Sequence, residues 1–336
     1  FWSFPEARTG GRLRLNSLCG VNLAAYALRR SGHDFGYMLR RADDPAAADE
    51  LRRLIAGDRP SPTQPTRIGN TGLAPAAVEA AAATATGLQD QTAGVIGPHP
   101  DGFDPCAYDP AVVKELTGVT VQRLELADLF AAATAAPETA VDAARDAATA
   151  ALGPLHELEQ PALDKSLRLY CGMTSLATEN SWSGFATRCW PECFTEFGGA
   201  ACAPQAMMTN QGIPGGCEAD VYGTLTSLAL RELAGEPPFV ADLVDLDVAD
   251  DTAVFWHCGV APVHMADPEA TVGPTIHSNR RKPLLNEFPL KPGRVTIARL
   301  SQSGGNHRLV IGTGEMLRAP LPFSGTAGVV RFDRPA

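Results

Sequence analysis

The hydrophobic rhythm of the chain changes at Pro238, and this change constrains the fold more than any single motif does. Before it, short apolar strands lead through loops into helical runs. Arg12-Leu13-Arg14-Leu15 alternates as a strand does, Asn16 to Gly20 reads as a loop, and Val21 to Arg30 reads as a helix. Thr92 to Ile96 and Val119 to Leu124 repeat the strand signal, with helices expected from Asp44 to Ile55, over 72–86 and over 126–151. Strand, loop and helix in alternation are the unit of an α/β layer. Leu167 to Trp190 reads as helical, as do Ala200 to Met208 and Val221 to Leu233, the last closed by Gly235 at a C′ position. The Pro-, Ser- and Thr-rich stretch at 58–66 should be loop. After Pro238 the runs shorten and alternate: Ala253 to Trp256, Arg294 to Ala298, His307 to Ile311 and Gly328 to Phe332, with Gly and Pro in the turns between them. That pattern predicts a β-rich, antiparallel, barrel-like domain following the α/β one.

Composition closes off several function classes. The 336 residues are 45% hydrophobic and 20% charged, which allows two domains with cores of their own. A net charge of −10 argues against nucleic acid, whose phosphates call for clustered Lys and Arg. No apolar run approaches the roughly 20 residues of a membrane span, and Phe1-Trp2-Ser3-Phe4 lacks the pattern of a secretion leader. A cytoplasmic protein is expected. Eight cysteines form no CxxC pair, so buried reduced thiols are expected rather than a zinc site. The chain starts and stops abruptly, as a piece of a longer protein would.

Two acidic residues stand out from their surroundings. Glu192 lies in Arg188-Cys189-Trp190-Pro191-Glu192-Cys193, and Asp220 in Cys217-Glu218-Ala219-Asp220-Val221. A carboxylate among apolar and Cys-rich neighbours needs a cation or hydrogen bonds to hold it. Two converging carboxylates make a seat for a divalent metal or an acid/base pair. Each also has a plainer reading, Glu192 as a solvated helix residue and Asp220 as the N-cap of the helix that follows. His257 ends a buried-looking strand, where either a site residue or a core histidine belongs. Trp190 either stacks on a sugar or packs in the core. The polar loop His277-Ser278-Asn279-Arg280 could reach a sugar or an anion, or simply be solvated.

Taken in order, Cys189-Trp190-Pro191-Glu192, Gly212-Ile213-Pro214, Cys217-Glu218-Ala219-Asp220, Phe255-Trp256-His257-Cys258-Gly259 and Lys291-Pro292-Gly293-Arg294-Val295-Thr296 resemble the L-fucose isomerase-like sugar isomerases. The L-arabinose isomerases are more distantly similar. The resemblance implies a Rossmann-like α/β domain, here over 1–205, and a β-rich C-terminal domain over 206–336. It also implies that a first domain and the extreme C-terminus are missing. It implies an aldose–ketose isomerase for a pentose, a deoxyhexose or a modified sugar, working through an ene-diol. Mn²⁺ or Mg²⁺ would be held by Glu192 and Asp220, which would also serve as acid and base. Glu196 competes with Glu192 for the first position, and the third ligand would be a histidine beyond residue 336. Trp190 and His257 would lie near the sugar, and a homo-oligomer, trimeric or hexameric, is implied.

Overall fold

The computed structural model describes residues 1–59, 72–236, 238–303 and 306–333. From residue 60 onward, the loop expected at 58–66 falls outside the described residues. A short parallel pair, β1 (Trp2–Ser3) and β2 (Met38–Leu39), flanks α1 (Ser17–Arg30), followed by α2 (Ala47–Ile55) and α3 (Pro75–Leu88). Then come β3 (Thr92–Ile96), α4 (Pro110–Thr117), β4 (Thr120–Leu124), α5 (Leu126–Thr134), α6 (Glu138–Leu152), α7 (Gln160–Glu179), β5 (Gly184–Thr187), α8 (Cys202–Asn210), β6 (Gly215–Gly216) and α9 (Val221–Ala234). The β3–β6 strands form one parallel sheet in the order β4-β3-β5-β6. Their carboxyl ends therefore share one edge, where open α/β sheets place their ligands.

The central strands are buried on both faces, as parallel strands are. Ala93, Val95, Ile96, Phe185 and Ala186 are all in the core. Gly94 lets the Trp182 ring lie flat on β3, because a Cβ there would come within 2.3 Å of that ring. The strand β5 replaces the end of the helix expected from Leu167 to Trp190. The α7 helix stops at Asn180, Ser181 turns the chain in the left-handed region at φ 52°, and four buried residues then join the sheet. The helix Val221–Ala234 is built as its sequence indicates, with Asp220 as N-cap and Gly235 at φ 73°.

The second sheet contains β7 (Asp242–Asp247), β8 (Thr252–His257), β9 (Gly273–Thr275), β10 (Leu285–Pro289), β11 (Gly293–Ser303), β12 (Asn306–Leu317) and β13 (Thr326–Phe332). Its pairings are antiparallel except for a short parallel contact of β10 with β13. The chain is thus an α/β layer followed by a β-rich one. The strand β6 and helix α9 both belong to the parallel layer, which carries it past residue 205 to Ala234.

Arg12 to Leu15 is not a strand. Leu13 does turn inward, into an apolar cluster with Val244, Val254, Trp256 and Phe323. The backbone, however, bonds a side chain instead of a neighbouring strand: the Glu6 carboxylate accepts the N–H groups of Arg14, Leu15 and Asn16 at 2.8–3.0 Å. Arg8 fastens the same segment to the β-rich sheet through Asp245 at 2.7 Å and Thr252 at 2.9 Å. Among the described residues no helix is long and apolar enough to cross a membrane.

Candidate active site

Glu192 and Asp220 both follow carboxyl ends of the parallel sheet, Glu192 after β5 and Asp220 after β6. Each is held by an arginine. Arg188 Nε and Nη2 donate to the two Glu192 carboxylate oxygens, both at 2.7 Å. Arg188 Nη1 also donates to the His99 carbonyl at 3.0 Å, tying Glu192 to the loop after β3. The Arg188 guanidinium holds the Glu192 carboxyl below the usual carboxylate range. Asp220 Oδ1 accepts the Gly223 N–H at 3.0 Å, so the N-cap reading is realised. Both Asp220 oxygens also take the Arg299 guanidinium, which comes from β11. Asp220 is 6% exposed, and its pair with Arg299 joins the two sheets. Glu196 lies exposed on a π-helical turn, Cys193–Phe197.

Among the described residues Glu218 has no arginine partner. It occupies the short turn between β6 and α9, where Glu218 and Ala219 both sit at φ 55°. A left-handed conformation at a residue other than glycine costs about 1–3 kcal/mol and is held in place only by its surroundings. Glu218 Oε2 faces His257 Nε2 at 3.8 Å. His257 ends β8 and is buried, as the sequence indicated. Burial works against its imidazolium, but the Cys258 sulfur and Glu218 work for it and prevail, raising its pKa well above the ordinary range. Asp242 on β7 joins this group; burial raises its pKa against the pull of His257.

Around His257 the thiols converge from separate segments. Cys258 Sγ lies 3.1 Å from His257 Nδ1 and 3.4 Å from Cys202 Sγ, and Gln205 Nε2 donates to Cys217 Sγ at 3.5 Å. All the cysteines are free, as expected. Contact with Cys202 together with burial pushes the Cys258 thiol up to about 12; at Cys202 the hydrogen bond with Cys258 pulls down, but burial and the neighbouring Cys217, Cys189 and Glu218 together take it to about 11.

Trp190 is half-buried and packs against the core. The Phe103 ring meets it edge-on at 5.5 Å, and the Arg280 guanidinium lies over it at 5.6 Å. Among the described residues, donor groups of three within 4.8 Å are Cys217–His257–Cys258 and Cys189–Cys217–Glu218. Both contain thiols, whereas Mn²⁺ and Mg²⁺ take oxygen ligands. Glu192 and Asp220 belong to neither group. In this arrangement they do not fit such an ion unless Arg188 and Arg299 are released.

Glu218, Asp242 and the two arginines were missed by sequence reasoning. Glu218 was within view, two residues before Asp220, but only its strained turn and its contact with His257 single it out.

No protein-family model matches the chain. Similar proteins are sulfoquinovose isomerases. One from Priestia megaterium is 30% identical over 336 residues, covering 97% of this chain and 68% of its own length. One from Clostridium sp. is 32% identical over 339 residues, covering 98% and 69%. One from Alkalicoccus urumqiensis is 29% identical over 335 residues, covering 99% and 70%. With identity at this level along nearly its whole length, the chain belongs to the family of these isomerases.

Proposed function

We propose that the protein is an aldose–ketose isomerase of sulfoquinovose, a glucose that carries a sulfonate in place of its 6-hydroxyl. The observation that supports this is the similarity to sulfoquinovose isomerases over almost every residue of the chain. This reading narrows the expected pentose, deoxyhexose or modified sugar to one sulfonated deoxyhexose. The sugar would lie across the carboxyl edge of the parallel sheet, beside Glu218 and His257.

Isomerisation moves a proton between C2 and C1 through an ene-diol. Glu218 takes the proton from C2 while His257 Nε2–H donates one to O1, the ring's Nδ1 being held by the Cys258 N–H at 2.9 Å. The O2 proton then returns to His257 and the Glu218 proton goes to C1, which leaves both groups as they began. A base works best with a pKa near the working pH. Arg188 takes Glu192 away from that range, and Asp220 is committed to Arg299 and its helix. Glu218, whose Oε2 lies 3.8 Å from His257 Nε2, is the carboxylate we assign to the role.

Conversion in D₂O, followed by NMR, tests the reading. The 2-ketose should appear with solvent deuterium at C1, and Glu218→Gln should lower kcat by about 10²- to 10⁴-fold, the range for losing a general base. Loss of less than about tenfold would remove Glu218 from the mechanism.

Divalent-metal dependence at Glu192 and Asp220 is a separate proposal. A cation there would replace Arg188 and Arg299 as counter-charge. Metal content by mass spectrometry decides it: about one Mn²⁺ or Mg²⁺ per chain, lost in Glu192→Gln, supports it. A metal-free protein that still isomerises sugar overturns it.

A further inference from the structure

We propose that Arg12, Arg280 and His277 form an oxyanion subsite that takes the sulfonate of the sugar. This rests on the substrate reading above. A sulfonate is charged at every accessible pH, while the chain carries a net −10. An anionic substrate needs local cations to offset that field. Arg188, Arg299 and Arg8 are already engaged, by Glu192, Asp220 and Asp245 respectively.

Arg12 and Arg280 are placed differently. Among the described residues neither is ion-paired to a carboxylate. The Arg12 guanidinium donates to the Asn279 amide oxygen, next to Arg280, and Arg280 lies over the Trp190 ring, two residues before Glu192. Both arginines are exposed. The segment carrying Arg280 is a closed turn, with His277 N–H donating to the Lys282 carbonyl at 2.9 Å and Arg281 N–H to the His277 carbonyl at 2.8 Å. Arg281 adopts φ 60° to close it.

Within the turn, His277 Nδ1 accepts the N–H groups of Asn279 and Arg280, each at 3.2 Å. The neutral ring therefore carries its proton on Nε2, as a donor. The Phe194 ring holds the imidazole edge-on at 4.9 Å. Burial, then Arg280, His257 and Arg12, push the His277 pKa down to about 4, so the ring is a neutral donor in the turn that carries Arg280. Guanidinium groups with an added N–H donor suit a three-oxygen anion.

The test compares sulfoquinovose with its uncharged analogue, 6-deoxyglucose. In Arg280→Gln and in the Arg12→Gln/Arg280→Gln double variant, the ratio of kcat/KM for the two sugars should fall roughly 10- to 100-fold, mostly through KM for the sulfonated one. An unchanged ratio overturns the subsite. Failure of the wild-type protein to convert sulfoquinovose would sink the function reading but not this one. In that case ligand-observed NMR with ethanesulfonate decides. Saturable binding lost in the double variant sustains the subsite, and equal or absent binding in both proteins overturns it.

Discussion

Asp220 accepts the amide at the head of α9 and holds an arginine from a strand of the other sheet. The first of these was legible, since a Gly-rich turn before an apolar helix calls for an N-cap at that position. The second was not, because Arg299 lies far along the chain and only tertiary packing brings it close. The same contrast runs through the Glu218–His257 pair and the thiols, whose partners come from different strands and leave no spacing to count. His277 gives a residue-scale prediction. Its folded pKa of about 4 lies below the unfolded value of about 6.5. Between those values the unfolded chain binds more protons, so stability falls as pH drops through that window. In His277→Gln, urea midpoints measured at pH 7 and at pH 4.5 should differ less than they do in the wild-type protein.

At the scale of elements, legibility followed length and contrast. The helix α9 and strand β3 have clear ends and were read nearly to the residue. The strand β5 has four residues, all buried, and follows a long helix without a break in apolar character. A short strand buried on both faces shows no alternation, so periodicity cannot separate it from the end of a helix. Arg12 to Leu15 failed the other way: alternation was present, but no strand pairs with it. Helices α5 and α7 meet backbone to backbone at Gly172, where a Cβ would come 2.7 Å from the Ala133 nitrogen. Gly172→Ala should force the pair apart and cost about 1–3 kcal/mol in urea unfolding. A cost near zero would mean that the helices are free to shift.

Across the whole molecule, the two sheets are joined by side chains spread along the sequence. Arg299 crosses to Asp220, and the N-terminal segment is fastened by Arg8 to Asp245. The change of rhythm at Pro238 announced both layers, but not the ties between them. The thiols in the parallel layer have a consequence of another kind. Cys106, Cys189, Cys193, Cys202 and Cys217 are buried, and burial and thiol–thiol contacts keep them protonated. An alkylating reagent needs both access and a thiolate, and the closed core denies it both. Labelling of these sulfurs therefore requires the interior to open, and where the reagent outpaces reclosing, the pace of alkylation serves as a built-in clock for how often the native core comes apart.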